Sequence, residues 1–230
     1  MNHQLALEIK QNQEATFEDF CWGENTLVKE ALQKALAGVG EPFIYLWGKQ
    51  GSGKSHLLQA CCHAFGTEKP SLYLPLETLK TWDPLVLREV EMQDLFCIDE
   101  VDAIAGLKDF EEALFHLYNR IRDNGKSLLV MAGHVPPQHN QIQLPDLRSR
   151  LSSGLVMPVQ ELSDSNKIKT LQVLAQRRSF ELSEQAAQYL VNRSARNMHD
   201  LQYILDQLDD ASLAFQRKIT IPFIKSVLNW

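Results

Sequence analysis

The chain has 230 residues, of which 44% are hydrophobic and 23% are charged, and its formal net charge is −6. These values fit a globular protein with one large domain, or with one domain and a small companion. They argue against strong, sequence-independent DNA binding, which depends on clustered lysine and arginine. Its four cysteines lack the spacing of a disulfide framework. With no signal peptide or membrane span in the sequence, we expect a cytoplasmic protein with reduced thiols, no membrane association and little direct DNA affinity.

The first fourteen residues combine a small apolar cluster with a polar run. In residues 5–9 apolar and other side chains alternate, a pattern that suits an extended peptide laid into a groove, an edge strand or a plain tail. The aromatic stretch at residues 16–25 follows. Its rings suit either the flank of an adenine site or the packed core beneath the first helix.

Residues 43–55 join an apolar run, a glycine-rich turn and a Lys-Ser pair that opens a helix. This is the phosphate-binding loop pattern G-x-x-x-x-G-K-S in the strand–loop–helix order that it requires, and a hairpin turn with a chance lysine is the weaker interpretation. Glycines let backbone N–H groups converge on a phosphate, Lys54 reaches the β- and γ-phosphates, and the Ser55 hydroxyl binds Mg²⁺. We therefore predict binding of ADP or ATP with Mg²⁺. The nucleotide-binding residues assigned in this loop are Gly48, Gly51, Ser52, Gly53, Lys54 and Ser55.

Apolar strands alternate with helices along the first two thirds of the chain, which predicts a doubly wound parallel α/β sheet. Strands are predicted at residues 43–47, 71–75, 95–98, 128–132 and 155–159. Helices are predicted at residues 26–37, 54–64, 110–122 and 145–151, with an interrupted helix at 76–92. Only helical periodicity follows, at residues 164–178, 183–194, 198–217 and 220–228, the last with Thr220 as its N-cap. We expect a flexible segment at 1–14, an α/β base at 15–160 and an all-helical lid at 161–230.

Two acids follow the apolar run at residues 95–98. In phosphate-loop proteins the first acid holds the Mg²⁺ shell and the next orients attacking water, so we assign Asp99 and Glu100 to these roles. A solvated surface acid is the alternative for Glu100. Arg148 and Arg150, near the end of a predicted helix, are either solvated side chains or an arginine finger for a neighbouring molecule's γ-phosphate. The seven histidines show no metal-ligand spacing.

Several stretches, together with the phosphate loop, resemble the AAA+ ATPase class. The resemblance is closer to the nucleotide-binding region of the replication initiator DnaA, and closer still to the DnaA-related regulatory inactivators of the Hda family. The stretches that carry it are residues 117–120, 144–151, 205–209 and 216–223. The resemblance covers nearly the whole chain and implies a parallel-sheet AAA+ base with a C-terminal helical lid.

The resemblance also implies a function, which is negative regulation of replication initiation. Proteins of this family dock on the DNA polymerase sliding clamp and stimulate hydrolysis of DnaA-bound ATP. Arg150 matches the family's arginine finger, which acts in trans. The residues that match the clamp-binding peptide are Gln4, Leu5, Leu7 and Ile9. Glu8 and Ile9 depart from the proline and leucine of the family motif.

Both AAA+ sensor positions also depart from the family pattern. Ala132 and His134 match the sensor position at the end of the fourth strand, and His199 replaces the sensor arginine of the lid. Neutral histidine is no substitute for a permanent guanidinium, although Arg196 lies just upstream and could compensate. We therefore expect slow hydrolysis of the protein's own nucleotide.

Other functions stay open from the sequence. One is an independent AAA+ ATPase of helicase-loader or clamp-loader type, and a small phosphate-loop kinase is the least favoured. Arg148 and Arg150 equally suit an interface in a homo-oligomer, because AAA+ domains commonly assemble through that edge.

Overall fold

The computed structural model describes residues 15–66, 69–194 and 198–230. The chain divides into two compact units, a base that contains the sheet and a helical lid. Of the described residues, the base holds 15–20, 25–49 and 53–159, and the lid holds 21–24, 50–52 and 160–230. Within the described ranges, no helix is both long and apolar enough to cross a membrane.

The base contains a five-stranded parallel sheet in the order β2-β3-β4-β1-β5. Its strands are β1 (Phe43–Trp47), β2 (Ser71–Pro75), β3 (Leu95–Asp99), β4 (Leu128–Gly133) and β5 (Leu155–Pro158). Every residue of β3 and β4 is buried, as expected of parallel strands covered on both faces. The predicted AAA+ base with a parallel sheet is confirmed.

The sheet's register aligns the carboxyl ends of its strands at one edge. Trp47 lies opposite Gly133, and Pro75 lies opposite Asp99. In open α/β sheets ligands bind at this edge. At this edge the phosphate loop follows β1, Glu100 follows Asp99 at the end of β3, and His134 follows β4.

Helices pack around this sheet. They are α1 (Thr26–Leu36), α2 (Lys54–Phe65), α3 (Leu76–Leu79), α4 (Leu85–Arg88), α5 (Lys108–Asn124) and α6 (Pro145–Leu151), with 3₁₀ turns at Val101–Ile104 and Pro137–His139. The predicted interruption near Pro84 separates α3 from α4, because proline cannot continue a helix. In α5, Phe110, Leu114, Leu117 and Ile121 recur along one buried face, as an amphipathic helix requires.

The lid consists of four described helices. They are α7 (Asp164–Arg177), α8 (Glu184–Arg193), α9 (Met198–Phe215) and α10 (Ile221–Leu228). Three of them begin at a hydroxyl that accepts a backbone N–H, at Ser163, Ser183 and the predicted cap Thr220. Such caps satisfy N–H groups that have no partner inside the helix. Helix α9 ends two residues before the predicted Arg217, because Gln216 adopts a left-handed backbone (φ 51°).

Candidate functional site

The loop between β1 and α2 has the geometry of an anion-binding site. Gly51 and Gly53 have φ values of 81° and 93°, which glycine adopts without the steric cost of a side chain. Gly53 is the N-cap of α2, and it has no side chain to accept the first N–H groups of the helix. Those N–H groups, with the positive end of the helix dipole, favour a phosphate at this point.

The Lys54 side chain is bonded to the backbone of this loop. The side chain is buried, and its Nζ donates hydrogen bonds to the carbonyl oxygens of Gly48 (2.7 Å) and Lys49 (2.9 Å). Ser55, the next residue of α2, is exposed. The loop carbonyls therefore hold a cation, and the next residue has an exposed hydroxyl, so these residues fit a nucleotide phosphate with Mg²⁺.

Asp99 ends β3 with its carboxylate fixed on both oxygens. The Tyr73 hydroxyl donates to Oδ2 at 2.7 Å, and the Glu100 N–H donates to Oδ1 at 2.9 Å. Asp99 is 1% exposed. Burial, and then the charge of Asp99, raise the pKa of Tyr73, so the phenol stays protonated and remains a donor. The orientation of this carboxylate is thus set before any metal is bound.

Glu100 lies where charges from several strand ends meet. Its backbone is left-handed (φ 55°). Burial raises the pKa of its carboxyl, the negative charges of Asp99 and Glu77 raise it further, and His134 and Lys54 act in the opposite direction. A carboxyl with a raised pKa is a better proton acceptor. The structure therefore brings Glu100 into the electrostatic neighbourhood of Lys54, Asp99 and His134.

A second polar group surrounds the end of β4, and of its side chains only His134 was predicted from the sequence. The backbone N–H of His134 donates to Asp102 Oδ2, and His134 Nδ1 lies 3.4 Å from the same oxygen. The Tyr45 hydroxyl donates to the Val135 carbonyl at 3.4 Å. A Cβ at Gly133 would collide with that hydroxyl, so glycine is required there. The only sequence signal for Asp102 was its place in the acidic run that begins at Asp99.

Ala132 and His134 differ in what they offer at this edge. The Ala132 side chain is apolar and fully buried within β4, whereas the His134 side chain is 44% exposed. Of these two residues, only His134 can present a polar side chain at the end of β4.

The N-terminal aromatic stretch packs against the start of α2. The Phe20 ring lies so near Gly53 that an added Cβ would approach it to 2.5 Å. Its centroid is 5.6 Å from that of the His56 ring, and His56 Nε2–H donates to the Thr16 carbonyl at 2.8 Å. Burial lowers the pKa of His56, against the smaller effect of this hydrogen bond. Phe20 therefore contributes to packing beside the phosphate loop.

Arg150 lies on the short helix α6. Leu147 and Leu151 are buried on one side of the helix, while Arg148 and Arg150 are half-buried. Within the described part of the chain, no carboxylate forms an ion pair with Arg150.

Several predicted site residues cannot be placed. Gln4, Leu5, Leu7, Ile9 and Arg196 lie outside the described residues. The side chain of His199 also lies outside them, so these assignments stay predictions.

The buried thiols do not build a metal site in the described ranges. Cys61, Cys62 and Cys97 are free and buried. No group of three or more histidine, cysteine, aspartate or glutamate side chains is arranged there to hold a metal ion.

Comparison with known families divides the chain at nearly the same place as the two compact units. Residues 11–158 match the bacterial DnaA ATPase domain, and residues 164–228 match the Hda lid domain. An uncharacterized protein of Haemophilus influenzae is 41% identical over 230 residues, which is the full length of both chains.

Solved structures share the fold at low sequence identity. Domain III of the Thermotoga maritima replication initiation protein DnaA has a TM-score of 0.82 at 21% identity, over 95% of this chain and 97% of that one. DnaA from Aquifex aeolicus bound to AMPPCP has a TM-score of 0.69 at 24% identity, over 86% and 65%. The Thermotoga maritima RuvB Holliday junction branch migration motor has a TM-score of 0.71 at 16% identity, over 94% and 72%.

Proposed function

The chain belongs to the Hda family of DnaA-like AAA+ proteins, and from that premise we propose that it is a negative regulator of replication initiation. In this proposal it binds an adenine nucleotide, docks on the DNA polymerase sliding clamp and stimulates hydrolysis of ATP held by DnaA. The product is ADP-bound DnaA, which is inactive for initiation. The family membership supports the choice of DnaA as the partner.

Nucleotide binding is supported by the loop between β1 and α2 and by the fixed carboxylate of Asp99. Lys54 would exchange the carbonyls of Gly48 and Lys49 for phosphate oxygens, which are stronger acceptors because they are charged. The Ser55 hydroxyl and Asp99 would hold Mg²⁺ or its water ligands. A bound Mg²⁺ supplies positive charge that neutralises the phosphates. AMPPCP in the Aquifex aeolicus relative is consistent with an adenine nucleotide.

The observation that carries the regulatory proposal is the position of the Arg150 guanidinium. It stands half-buried on α6 with no carboxylate partner in the described residues. A planar, permanently charged group of this kind stabilises charge that develops on a transferred γ-phosphoryl. We propose that it does so on the ATP of DnaA, because the match to the Hda family favours action in trans.

Clamp docking rests on the N-terminal peptide that contains Gln4, Leu5, Leu7 and Ile9. An extended peptide with alternating apolar anchors suits a groove on a partner surface. Deleting residues 4–9 should abolish clamp binding in a pull-down with the purified clamp, while the affinity for nucleotide stays unchanged.

The deciding experiment measures hydrolysis of DnaA-bound ATP on DNA-loaded clamp, with and without this protein. Arg150→Ala should abolish the stimulation, whereas Arg148→Ala, the other half-buried arginine of the same helix, should retain most of it. Arg150→Lys tests whether charge alone suffices, since lysine lacks the planar fork. If wild-type protein gives no stimulation while clamp binding is confirmed, the proposed regulation is wrong.

An independent AAA+ ATPase of loader type is the second candidate. The complete set of Lys54, Asp99 and Glu100 favours it, because these residues also equip a chain to hydrolyse its own nucleotide. Its test is steady-state turnover of ATP by the protein alone. Turnover at an ordinary enzymatic rate, about 1 s⁻¹ or more, would favour this candidate, and deletion of residues 4–9 would then leave activity unchanged.

A further inference from the structure

The helix that carries Arg150 is too short to fix its own orientation. Helix α6 has seven residues, which is slightly less than two helical turns. An isolated helix of this length is unstable in water, so its position depends on neighbouring elements. Two buried leucines, Leu147 and Leu151, anchor one side of it. Apolar contacts of this kind are non-directional, so polar contacts are needed to fix how the helix is turned.

One such contact comes from Glu111 on α5 and lies just before α6. The Glu111 side chain is 1% exposed. Its Oε2 accepts the N–H of Leu144 at 2.7 Å, and both carboxylate oxygens accept the N–H of Gln143 at 3.0 Å. Leu144 is the N-cap of α6, and its carbonyl accepts the Arg148 N–H. The carboxylate therefore holds the backbone at the point where α6 begins.

The same carboxylate is also bonded to the segment that follows Asp99 and Glu100. Glu111 Oε1 accepts the N–H of Gly106 at 2.7 Å. Gly106 lies two residues beyond the 3₁₀ turn Val101–Ile104 that continues from the acidic pair. Glu111 thus joins the start of α6 to the backbone that leaves β3.

A second contact from α5 lies just after α6. The Ser153 hydroxyl donates to the carbonyl oxygen of Arg150 at 2.8 Å. That hydroxyl lies 3.0 Å from the Tyr118 hydroxyl, which is the donor of the pair because the Ser153 proton is already used. Tyr118 is 2% exposed, so its hydroxyl holds a fixed place. The backbone of Arg150 itself is therefore tied to α5.

From this arrangement we infer that Glu111 and Tyr118 are positioning residues for Arg150, because they fix α6 at both ends and so aim its guanidinium. The inference rests on the proposed function for the role of Arg150, and on contacts within the described residues for the rest. A group that stabilises a transition state loses effect steeply with misplacement, by as much as about 100-fold for 1 Å. Loss of either contact should therefore lower the maximal stimulation of DnaA-bound ATP hydrolysis and leave docking of the partner unaffected.

The test uses the full chain with three substitutions. Glu111→Gln replaces one carboxylate oxygen by an NH₂ group, which cannot accept a hydrogen bond from a backbone N–H. Tyr118→Phe removes only the hydroxyl. The matched control is Glu112→Gln, because Glu112 is the next residue of α5 and faces Lys108 at 3.8 Å with 38% of its side chain exposed. Binding of a fluorescent ADP analogue to each variant checks that the nucleotide site remains folded.

The first measurement is the stimulated rate as a function of the concentration of this protein. For Glu111→Gln and Tyr118→Phe we expect the maximal rate to fall by about tenfold or more, with a half-saturating concentration within about twofold of wild type. The control should match wild type in both. A raised half-saturating concentration at an unchanged maximal rate would overturn the inference, since that result indicates weakened docking rather than a misplaced finger.

The second measurement does not depend on DnaA. A nitroxide label on Ser149→Cys, at an exposed position of α6, reports the mobility of the helix by electron paramagnetic resonance, with Cys21→Ser in the background to remove the half-buried native thiol. The label should become more mobile in Glu111→Gln and Tyr118→Phe and stay unchanged in Glu112→Gln. An unchanged label in both test variants overturns the inference. If the label is mobile in the variants and wild-type protein does not stimulate hydrolysis of DnaA-bound ATP, the results support the fixing of α6 by Glu111 and Tyr118 and contradict the proposed function.

Discussion

The base and the lid place their polar groups in different ways. In the base, Lys54, Asp99 and Glu111 are buried charges whose partners are loop carbonyls, a tyrosine hydroxyl or backbone N–H groups. Its helices α1, α2, α5 and α6 have no side-chain cap. In the lid, α7, α8 and α10 each begin at a capping hydroxyl only three residues from the N–H that it accepts.

The difference separates interactions that the chain forms locally from those that need the finished fold. A capping hydroxyl and its N–H are neighbours in sequence, so the lid helices carry their own start signals. The partners of Glu111 come from residues 106 and 143–144, which approach it only when the base is folded. The long-range contacts of Asp99 and Glu111 therefore lie in the unit that also contains Lys54 and Glu100.

Glu111→Ala should have the largest effect on stability, because it removes a contact of the long-range kind. Three backbone N–H groups lose a charged acceptor, whose hydrogen bonds contribute about 1.5–3 kcal/mol each, and water replaces part of this at the exposed residues Gly106 and Gln143. We expect the free energy of unfolding to fall by about 3–4 kcal/mol, measured by urea denaturation. Glu112→Ala, on the exposed side of the same helix, should cost less than about 0.5 kcal/mol. A loss below about 1 kcal/mol for Glu111→Ala would show that water replaces the carboxylate at little cost.

Lys54→Ala should weaken nucleotide binding by about 100-fold, or about 2.7 kcal/mol. The physical reason is the loss of charge-assisted hydrogen bonds to phosphate, each of which contributes about 1.5–3 kcal/mol. Isothermal titration calorimetry with ADP and ATP in the presence of Mg²⁺ gives the affinities. Lys49→Ala, an exposed lysine of the same loop, serves as the control. Equal affinities for wild type and Lys54→Ala would show that Lys54 does not contact the bound nucleotide.

Ser183→Ala should have a smaller and more local effect, because it removes one cap of the lid. We expect a loss of about 1 kcal/mol. Hydrogen exchange should become faster in the first turn of α8 and stay unchanged in the sheet of the base. Ser183→Asp retains an acceptor oxygen and should behave as wild type. Faster exchange in the base as well would contradict the view that this cap acts locally.

The smallest expected effect concerns His56, whose pKa is lowered by burial. The unfolded chain then takes up a proton more readily than the folded chain. The free energy of unfolding should be independent of this group above its ordinary pKa of 6.5 and should fall as pH drops from there toward the lowered folded pKa. The slope is limited to about 1.4 kcal/mol per pH unit.

Urea denaturation between pH 8 and pH 5 measures this slope for wild type and for His56→Gln. The variant should lose the extra pH dependence. His63→Gln, at an exposed position of the same helix, should retain it. An identical pH dependence for wild type and His56→Gln would show that the bond to Thr16 cancels the effect of burial.

The features that the sequence predicted are those with local causes. The phosphate loop, the buried run of β3 and the break at Pro84 depend on glycine, apolar continuity and proline, whose effects act within a few residues. The cap at Thr220 was predicted for the same reason and is present. Helix ends were less predictable, since α5 begins at Lys108 and not at Phe110.

The contacts around Asp102 and Glu111 could not be predicted, because their causes are not local. Glu111 and Glu112 are adjacent acids on an amphipathic helix, and nothing in the pattern distinguishes the buried one from the exposed one. Asp102 meets His134 from 32 residues away. Only the strand order places the end of β3 beside the end of β4.

The strand order also constrains synthesis of the protein on the ribosome. Strand β1 pairs with β4 and β5 and with neither β2 nor β3. During translation the apolar segment Phe43–Trp47 therefore has no sheet partner until Leu128–Gly133 has left the exit tunnel, whereas β2 and β3 can pair earlier. A nascent chain that stalls before that point exposes β1 and an unfinished phosphate loop. The sheet of the base is thus completed late, and of its five strands β1 waits through the longest stretch of synthesis for a partner.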